Sequence, residues 1–240
     1  MIIVLCGVAG SGKDTIADLL VEKHGFHKES FAAPLKKMLK LAYPDFDDED
    51  LYGPSANRNC QYMQYPITRC PFCGGGLIRR GIDKLRYCDE DNTHDNIPDG
   101  LTPRIALQTL GTEWGRRLYI NTWVDSAFAR INNELEELAV EYSRYQQLGV
   151  GSIEGYPQHY VITDGRFHNE VLRSNALGAV TVRLSRGSAG STSTHASESE
   201  FSKIPKSDFC LTFDNASMSL EELPAKVETL YTAATCYRRT

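Results

Sequence analysis

The residues with the clearest chemical potential stand near the start of the chain, where a glycine-rich loop ends in a lysine. The loop, Gly7-Val-Ala-Gly-Ser-Gly-Lys-Asp-Thr15, follows an apolar run from Ile2 to Cys6. G-x4-G-K between a strand and a helix is the pattern of a phosphate-binding loop, the P-loop. Backbone N–H groups and the start of the helix attract phosphate oxygens, and the lysine binds the β- and γ-phosphates. We therefore expect ATP to bind at Gly10, Ser11, Gly12, Lys13, Asp14 and Thr15.

One position departs from the general P-loop pattern. Asp14 follows the lysine, where a serine or threonine hydroxyl usually binds Mg²⁺. Either the Asp14 carboxylate serves Mg²⁺, directly or through water, or Thr15 takes over, because Mg²⁺ accepts both kinds of oxygen ligand. The alternative is that Asp14 only caps the helix start.

A second group of residues has the composition of a metal site. Cys70-Pro-Phe-Cys73 forms a C-x2-C turn, and Cys88 and His94 follow it. Thiolates and imidazole suit tetrahedral Zn²⁺, so we expect a structural zinc that supports the folding of a polar segment. The second half of the pattern is irregular, and Cys60 or Asp91 is an alternative fourth ligand to His94. Ordinary free thiols are the other interpretation.

Further charged residues follow the later strands. Val161-Ile-Thr-Asp164-Gly-Arg166 is predicted as a strand that ends in a carboxylate and an arginine, at the edge where parallel strands face a ligand crevice. An arginine there suits an anionic substrate. Arg183 and Arg186 flank a Gly/Ser/Thr-rich loop and suggest a closing lid over a transferring phosphate. Exposed surface arginines are the alternative.

The periodicity predicts an α/β fold with five parallel strands covered by helices. Residues 52–100 are rich in Gly, Pro, Asn and Cys, and we interpret them as a zinc-ribbon-like insertion. The core then comprises residues 1–51 and 101–240, with the lid at about 185–201. A long amphipathic helix, Asn121 to Gln147, either pairs with a second copy of the chain or packs on the sheet.

Composition restricts the class of protein. The 240 residues carry a net charge of −5 and no basic block, which argues against a dedicated duplex-binding protein. The apolar start lacks a basic flank, and no apolar run is long enough for a membrane span. The seven scattered cysteines do not form a disulfide framework, so a cytoplasmic setting is expected.

Several motifs together resemble the phage-type deoxynucleoside monophosphate kinases, a branch of the P-loop nucleoside monophosphate kinases. They are Ser11-Gly-Lys-Asp-Thr15, Phe31-Ala-Ala-Pro-Leu-Lys36, Leu51-Tyr-Gly-Pro-Ser-Ala-Asn-Arg58, Arg104, Leu107-Gln-Thr-Leu-Gly-Thr112, Trp123, Asp164-Gly-Arg-Phe-His-Asn-Glu170 and His195-Ala-Ser-Glu198. Aspartate after the P-loop lysine is normal in that family. The resemblance implies a kinase-like strand order 2-3-1-4-5 and, in a phage, a host-cytoplasmic enzyme.

The resemblance also implies the reaction, which is transfer of the γ-phosphoryl group of ATP to a deoxynucleoside 5′-monophosphate with Mg²⁺. Carried over to this sequence, the monophosphate-binding residues are Lys36, Arg58, Arg104, Trp123, Asp164, Arg166 and Glu170. Lys13, Arg166, Arg183 and Arg186 would be catalytic.

Two other functions remain open from the sequence. A kinase of another small acceptor, such as dephospho-coenzyme A, would need a general base, for which Asp14 or Asp164 is available. A zinc-ribbon nucleic-acid-binding ATP switch would use the basic cluster beside Cys88, which comprises Arg79, Arg80, Lys84, Arg86 and Tyr87. The acidic residues 89–91 directly after it weaken that case.

Overall fold

The computed structural model describes residues 1–8, 10–53, 56–79, 86–88, 94–147, 159–185, 196–214, 219 and 221–238. These residues form two compact units, one of residues 1–31 with 123–240 and one of residues 32–122. We call them the first and second unit. The predicted insertion, residues 52–100, lies wholly within the second unit, and its boundaries stay a prediction.

The described residues of the first unit alternate between strands and helices for most of their length, whereas the four strands described in the second unit follow one another directly. The strands are β1 (Ile2–Cys6), β2 (Phe26–Glu29), β3 (Tyr62–Pro66), β4 (Leu77–Arg79), β5 (Arg86–Cys88), β6 (Gly100–Leu101), β7 (His159–Gly165), β8 (Val180–Ser185) and β9 (Leu211–Asp214). The α-helices are α1 (Lys13–His24), α2 (Ala33–Ala42), α3 (Asp48–Tyr52), α4 (Pro103–Gln108), α5 (Thr122–Gln147), α6 (His168–Ala176), α7 (Ala196–Lys203) and α8 (Leu223–Tyr237). Short 3₁₀ turns cover Asn57–Asn59 and Lys206–Asp208, and α4 continues into a π-helical segment, Thr109–Arg116.

The first unit is built on a five-stranded sheet in the order β2-β7-β1-β8-β9, in which every paired strand is parallel. The predicted α/β class with a parallel five-stranded sheet is therefore confirmed. The strand numbers differ from the expected 2-3-1-4-5 because β3 to β6 lie outside this sheet but take numbers in the chain. Counted among the five sheet strands alone, the observed order reads 2-3-1-4-5.

The core of the first unit surrounds β1. Ile3, Val4, Leu5 and Cys6 are all fully buried, because a central parallel strand is covered on both faces. Helices α1 and α8 pack in the same apolar cluster as Ile3 and Leu5, to which they contribute Ile16, Ala17, Leu20, Leu223, Val227, Leu230 and Ala234. This packing fixes the position of the loop that joins β1 to α1.

The second unit combines short helices with two small antiparallel sheets, β3 with β6 and β4 with β5. One apolar cluster contains Leu39, Phe46, Leu51 and Ala106. The sequence analysis gave no helix at the acidic stretch 45–50, yet α3 begins there. Asp47 caps α3, and its side chain accepts a hydrogen bond from the Asp50 backbone N–H at 2.8 Å.

None of the described helices is both long enough and apolar enough to cross a lipid bilayer. The long helix α5 is amphipathic and carries many exposed charged side chains, including Glu136, Glu137 and Glu141.

Candidate active site and metal-binding cluster

The loop between β1 and α1 adopts a conformation that depends on its glycines. Gly10 and Gly12 have φ angles of +74° and +84°, in the left-handed region that L side chains rarely adopt. At Gly7, a Cβ atom would lie 2.5 Å from Ser11 Oγ. The three glycines are therefore required for the curl of the loop, as the P-loop pattern predicts.

Lys13 projects its ammonium group back into this curl. Its Nζ donates to Gly7 O at 2.9 Å, to Val8 O at 2.7 Å and to Ser11 Oγ at 3.2 Å. The residue is only 7 % exposed, although it begins a surface helix. The loop thus holds the lysine head at the start of α1, where the helix dipole also favours an anion.

The electrostatics around Lys13 favour an anionic ligand. Burial and, second, the positive charge of Arg166 lower the pKa of Lys13 to about 8, while Asp14 and Asp164 oppose the shift. Two cationic side chains, Lys13 and Arg166, are therefore close enough to repel one another. A phosphate group between or beside them would remove that repulsion and restore the pKa of the lysine.

Asp14 and Thr15 are both exposed in the first turn of α1. The N-cap residue of this helix is Gly12, and no side-chain hydrogen bond caps it. Asp14 therefore does not act as a capping residue, which removes the alternative that the sequence had left open. Both candidate Mg²⁺ ligands lie at the surface next to the loop, and the choice between them stays a prediction.

Asp164 lies at an irregularity where β7 passes β1. Val4 pairs with Ile162 while Cys6 pairs with Gly165, so β7 carries one extra residue at this point. Such bulges redirect side chains next to functional sites. The Asp164 carboxylate accepts from Ser30 Oγ at 2.7 Å and from the Phe31 backbone N–H at 2.8 Å, both just after β2.

Glu170 supports the turn that carries Arg166. The Glu170 side chain is 2 % exposed, and its Oε2 accepts from the backbone N–H groups of Arg166 at 2.8 Å and Phe167 at 3.0 Å. This is the N-terminal hydrogen bonding of α6. The contacts give Glu170 a role in holding Arg166, whereas its predicted contact with a monophosphate stays a prediction.

Arg183, the first predicted lid residue, is held by neighbours in the first unit. Its guanidinium lies 4.7 Å from the Phe201 ring centre and 5.2 Å from that of Phe209, and its Nη1 donates to Ile204 O at 2.9 Å. These contacts anchor the segment that contains α7, and its catalytic role stays a prediction. Arg186 and His195 lie outside the described residues.

Trp123 was expected either to stack on a base or to belong to the core. It is 5 % exposed at the start of α5 in the first unit. Burial of this degree is that of a core side chain. A stacking role for Trp123 stays a prediction.

The other predicted monophosphate-binding residues belong to the second unit. Lys36 on α2 lies 4.6 Å from the centre of the Tyr52 ring. Arg104 on α4 donates from Nε to Asn59 Oδ1 at 2.6 Å, and Arg58 neighbours Asn59 in the same 3₁₀ turn. The structure therefore brings Arg104 to the 3₁₀ turn that contains Arg58.

The predicted metal ligands also meet in the second unit. The ligand atoms of Cys70, Cys73, Cys88 and His94 all lie within 4.8 Å of one another. The C-x2-C turn closes through hydrogen bonds from Gly74 N to Cys70 O and from Cys70 N to Gly75 O, both 2.8 Å. Its turn residue, Gly74, has a φ of +82°.

This donor set fits a tetrahedral cation. Ligands of one zinc ion lie roughly 3.5 to 3.8 Å apart, so all four atoms could reach one ion after shifts below about 1 Å. Cys73 Sγ and Cys88 Sγ are already 3.2 Å apart. Cys60 is exposed and outside the cluster, and Asp91 lies outside the described residues.

Two residues near Asp164 were missed by the sequence analysis. Ser30 binds the carboxylate directly, and Arg130 of α5 supports the same turn by donating to Glu29 Oε2 at 2.9 Å and Ser30 O at 3.0 Å. Arg130 is 100 positions from Ser30 in the sequence, and no local pattern marks it. Ser30 carries a weak signal, since it directly follows β2, at the edge of the sheet where a ligand crevice is expected.

Comparisons with known proteins agree with these features. A family profile described as "Deoxynucleotide monophosphate kinase" matches residues 1–63, which include the P-loop and Arg58. The enzymes named deoxynucleotide monophosphate kinase from Enterobacteria phage T4 and Escherichia phage RB69 are 26% and 25% identical to this chain. Both alignments cover 95% of this chain, with 97% and 98% of the relative, respectively.

A relative from Acanthamoeba polyphaga mimivirus, whose name assigns it the same activity provisionally, is 26% identical over 213 residues. That alignment covers 88% of this chain and 87% of the relative. The similarity therefore extends well beyond the P-loop to nearly the whole length. The resemblance expected from the motifs is confirmed, since the chain is similar to proteins named deoxynucleotide monophosphate kinase over nearly its whole length.

Proposed function

We propose that the protein transfers the γ-phosphoryl group of ATP to a deoxynucleoside 5′-monophosphate, giving the diphosphate and ADP. The observation that carries the proposal is the buried Lys13 ammonium in the P-loop, with Arg166 close enough to lower its pKa. This is an arrangement for binding polyanions. The names of the phage relatives support the choice of acceptor.

The proposed reaction does not require a general base. A nucleoside monophosphate has a second pKa of about 6 and is largely dianionic at neutral pH, so its oxygen is already nucleophilic. The protein must hold two polyanions in line, offset their repulsion and exclude water. Positively charged side chains can hold the two polyanions and offset their repulsion.

The residue roles follow from that requirement. Gly10, Ser11, Gly12 and Lys13 would bind the phosphates of ATP through the loop. Mg²⁺ at Asp14 or Thr15 would neutralise charge on the β- and γ-phosphates. We assign the acceptor phosphate to Arg166, and Lys36, Arg58 and Arg104 of the second unit stay predicted acceptor-binding residues. We assign Asp164 to the acceptor sugar or base or to the orientation of Arg166. Glu170 acts by holding Arg166.

We also propose that Cys70, Cys73, Cys88 and His94 bind a structural zinc ion. The four ligand atoms converge in a segment that has only a small apolar cluster of its own, so the ion would supply much of its stability. Zinc analysis of purified protein tests this proposal. A protein without bound metal would contradict it.

Two observations bear on the alternative functions. Asp164, one of the two candidate bases toward a dephospho-coenzyme A hydroxyl, already accepts hydrogen bonds from Ser30 and Phe31 at its two oxygens, and Asp14 stays the other candidate. Arg86, a member of the basic cluster of the switch hypothesis, is directed inward and bonds to Ile67 O, Pro98 O and Asp99.

A coupled ADP-release assay tests the proposed function. Purified protein is supplied with ATP, Mg²⁺ and, in turn, dTMP, dGMP, dCMP, dAMP, UMP and dephospho-coenzyme A. Turnover with one or more deoxynucleotides and none with dephospho-coenzyme A is expected, and Lys13→Ala is the inactive control. Protein that binds ATP but turns over no deoxynucleotide contradicts the proposal.

The expected setting is the host cytoplasm and the supply of DNA precursors, because two of the relatives are phage enzymes. The acceptor and ATP are the partners that the proposal requires. Pairing of two copies through α5 stays a prediction, which a sedimentation experiment would test.

A further inference from the structure

The metal-binding cluster shares its apolar base with α4. Cys70 and Cys88 are 2 % and 0 % exposed, and they pack in one cluster with Ile67, Ile97 and Ile105. Ile105 belongs to α4 and directly follows Arg104 in the chain. A shift of the two buried cysteines therefore alters the packing of the helix that carries Arg104.

Hydrogen bonds make a second connection between the cluster and α4. Arg86, two residues before Cys88, donates from Nη1 to Ile67 O at 2.5 Å and from Nη2 to Pro98 O, and its Nε lies 3.1 Å from Asp99 Oδ1. Ile67 N donates to Asp99 O at 2.9 Å. The backbone at 98–99 is thereby fastened to both sides of the cysteine cluster, and it leads directly into β6 and α4.

The first residues of α4 determine where Arg104 lies. Thr102 caps the helix, since its Oγ1 accepts from Ile105 N at 3.2 Å, and Pro103 fixes the first helical residue. Arg104 then reaches Asn59 Oδ1 at 2.6 Å, beside Arg58. Both arginines consequently depend on where the cluster holds α4.

We propose that metal binding at Cys70, Cys73, Cys88 and His94 fixes α4 and thereby positions Arg104 and Arg58 for the acceptor phosphate, so that metal loading controls acceptor affinity. The inference rests on the proposed function for its choice of ligand. Its physical basis is that the apolar cluster has five buried members among the described residues, too few to hold the segment firmly. Without the ion, the ligand loops separate and the link from Cys88 through Arg86 to α4 loosens.

The P-loop provides an internal control, because it belongs to the first unit and the cluster to the second. Metal loss should raise the KM for the deoxynucleoside monophosphate about tenfold or more, the value of one hydrogen bond to a charged group. The dissociation constant of ATP, measured without acceptor, should change less than about twofold. The two constants separate a local effect from general unfolding.

The test compares the full-length wild-type protein with Cys73→Ser, in which a ligand is removed at an exposed cysteine. Cys60→Ser is the matched control, because Cys60 is an exposed cysteine of the same unit outside the cluster. Bound zinc is measured by mass spectrometry and backbone protection at residues 100–108 by hydrogen exchange. A second variant, Ile105→Val, should retain zinc and still raise the acceptor KM.

The results distinguish a failure of this inference from a failure of the proposed function. Loss of zinc with unchanged acceptor KM and unchanged protection at 100–108 overturns the inference, as does an equal loss of ATP affinity, which would indicate general unfolding. Purified protein without zinc overturns it as well. If the zinc-loaded wild type turns over no deoxynucleotide, the proposed function fails instead, and hydrogen exchange at 100–108 alone then decides whether the metal holds α4.

Discussion

Gly165 separates Asp164 from Arg166, and the structure shows why no larger residue fits there. A Cβ atom at this position would lie 2.6 Å from Cys6 Sγ, 3.2 Å from Val4 Cγ1 and 3.3 Å from Leu5 O. All three atoms belong to β1, the fully buried central strand. Gly165→Ala must therefore push β7 away from β1 exactly where the P-loop begins.

The size of the effect follows from two opposing contributions. Overpacking of a buried site costs about 1 to 3 kcal/mol. The loss of backbone freedom in the unfolded chain returns about 0.4 to 1 kcal/mol. We therefore expect Gly165→Ala to lower the free energy of unfolding by about 1 to 2 kcal/mol, and the displacement of Asp164 and Arg166 to lower kcat at least tenfold, or about 1.4 kcal/mol in the barrier.

A double-mutant cycle with Cys6→Ala isolates the steric contact, because that change removes the sulfur nearest to the new methyl group. Cys6 is a suitable partner, since burial raises the pKa of its thiol and keeps it neutral. Cys6→Ala alone should lower the free energy of unfolding by about 1 kcal/mol because it leaves a cavity. The double variant should lose about 1 kcal/mol less than the summed losses of the two single variants.

Urea unfolding of the four proteins measures these energies, and the coupled assay measures kcat. Gly111→Ala is the matched control, since its Cβ would meet only Leu35 at ordinary contact distances of 3.5 and 3.9 Å. Additive energies in the cycle, or a Gly165→Ala variant as stable and active as the wild type, would refute the reasoning.

Other perturbations test Lys13 and the residues that hold Asp164. Lys13→Ala should lower turnover by roughly 10² to 10³ while the unfolding midpoint stays near that of the wild type, and near-normal turnover would exclude Lys13 from the site. Because burial and Arg166 lower the pKa of Lys13 to about 8, kcat/KM for ATP should fall as the pH rises through about 8. The free energy of unfolding should rise with pH between about 8 and the unfolded pKa of 10.5, because the unfolded chain then binds one proton more than the folded chain. A flat pH profile of kcat/KM, or an unfolding free energy that does not rise in this range, contradicts the lowered pKa. Ser30→Ala removes a hydrogen bond to Asp164 and should lower kcat about tenfold. Arg130→Lys should retain more activity than Arg130→Ala, and equal activities would show that Arg130 does not position this turn.

The sequence predicted the features that depend on local order. The P-loop, the five sheet strands and most helices follow from glycine positions and apolar periodicity, and the convergence of Cys70, Cys73, Cys88 and His94 follows from their spacing. Helix α3 was missed although Asp47 and Asp50 form a capping pattern, because the acidic run was interpreted only as the end of α2. A three-residue spacing of carboxylates before Leu51 was the available signal.

Features that depend on distant residues could not be predicted in this way. Ser30 and Arg130 act on Asp164 only because β2, α5 and β7 pack together, and one extra residue in β7 has no sequence signature. The partners of Arg183 are likewise two aromatic residues of a later segment. A sequence motif indicates that an arginine follows a strand, but the packing determines what its guanidinium contacts.

The contacts of the two carboxylates and the two cations bear on which acceptor the site suits. Asp164 accepts from a hydroxyl and a backbone N–H, and Glu170 accepts from two backbone N–H groups. These contacts give both carboxylates a part in holding the turns that follow β2 and β7. Lys13 and Arg166, in contrast, repel one another and gain most from an added anion. A site arranged in this way is suited to bringing phosphates together rather than to deprotonating a hydroxyl, which favours a monophosphate as the acceptor.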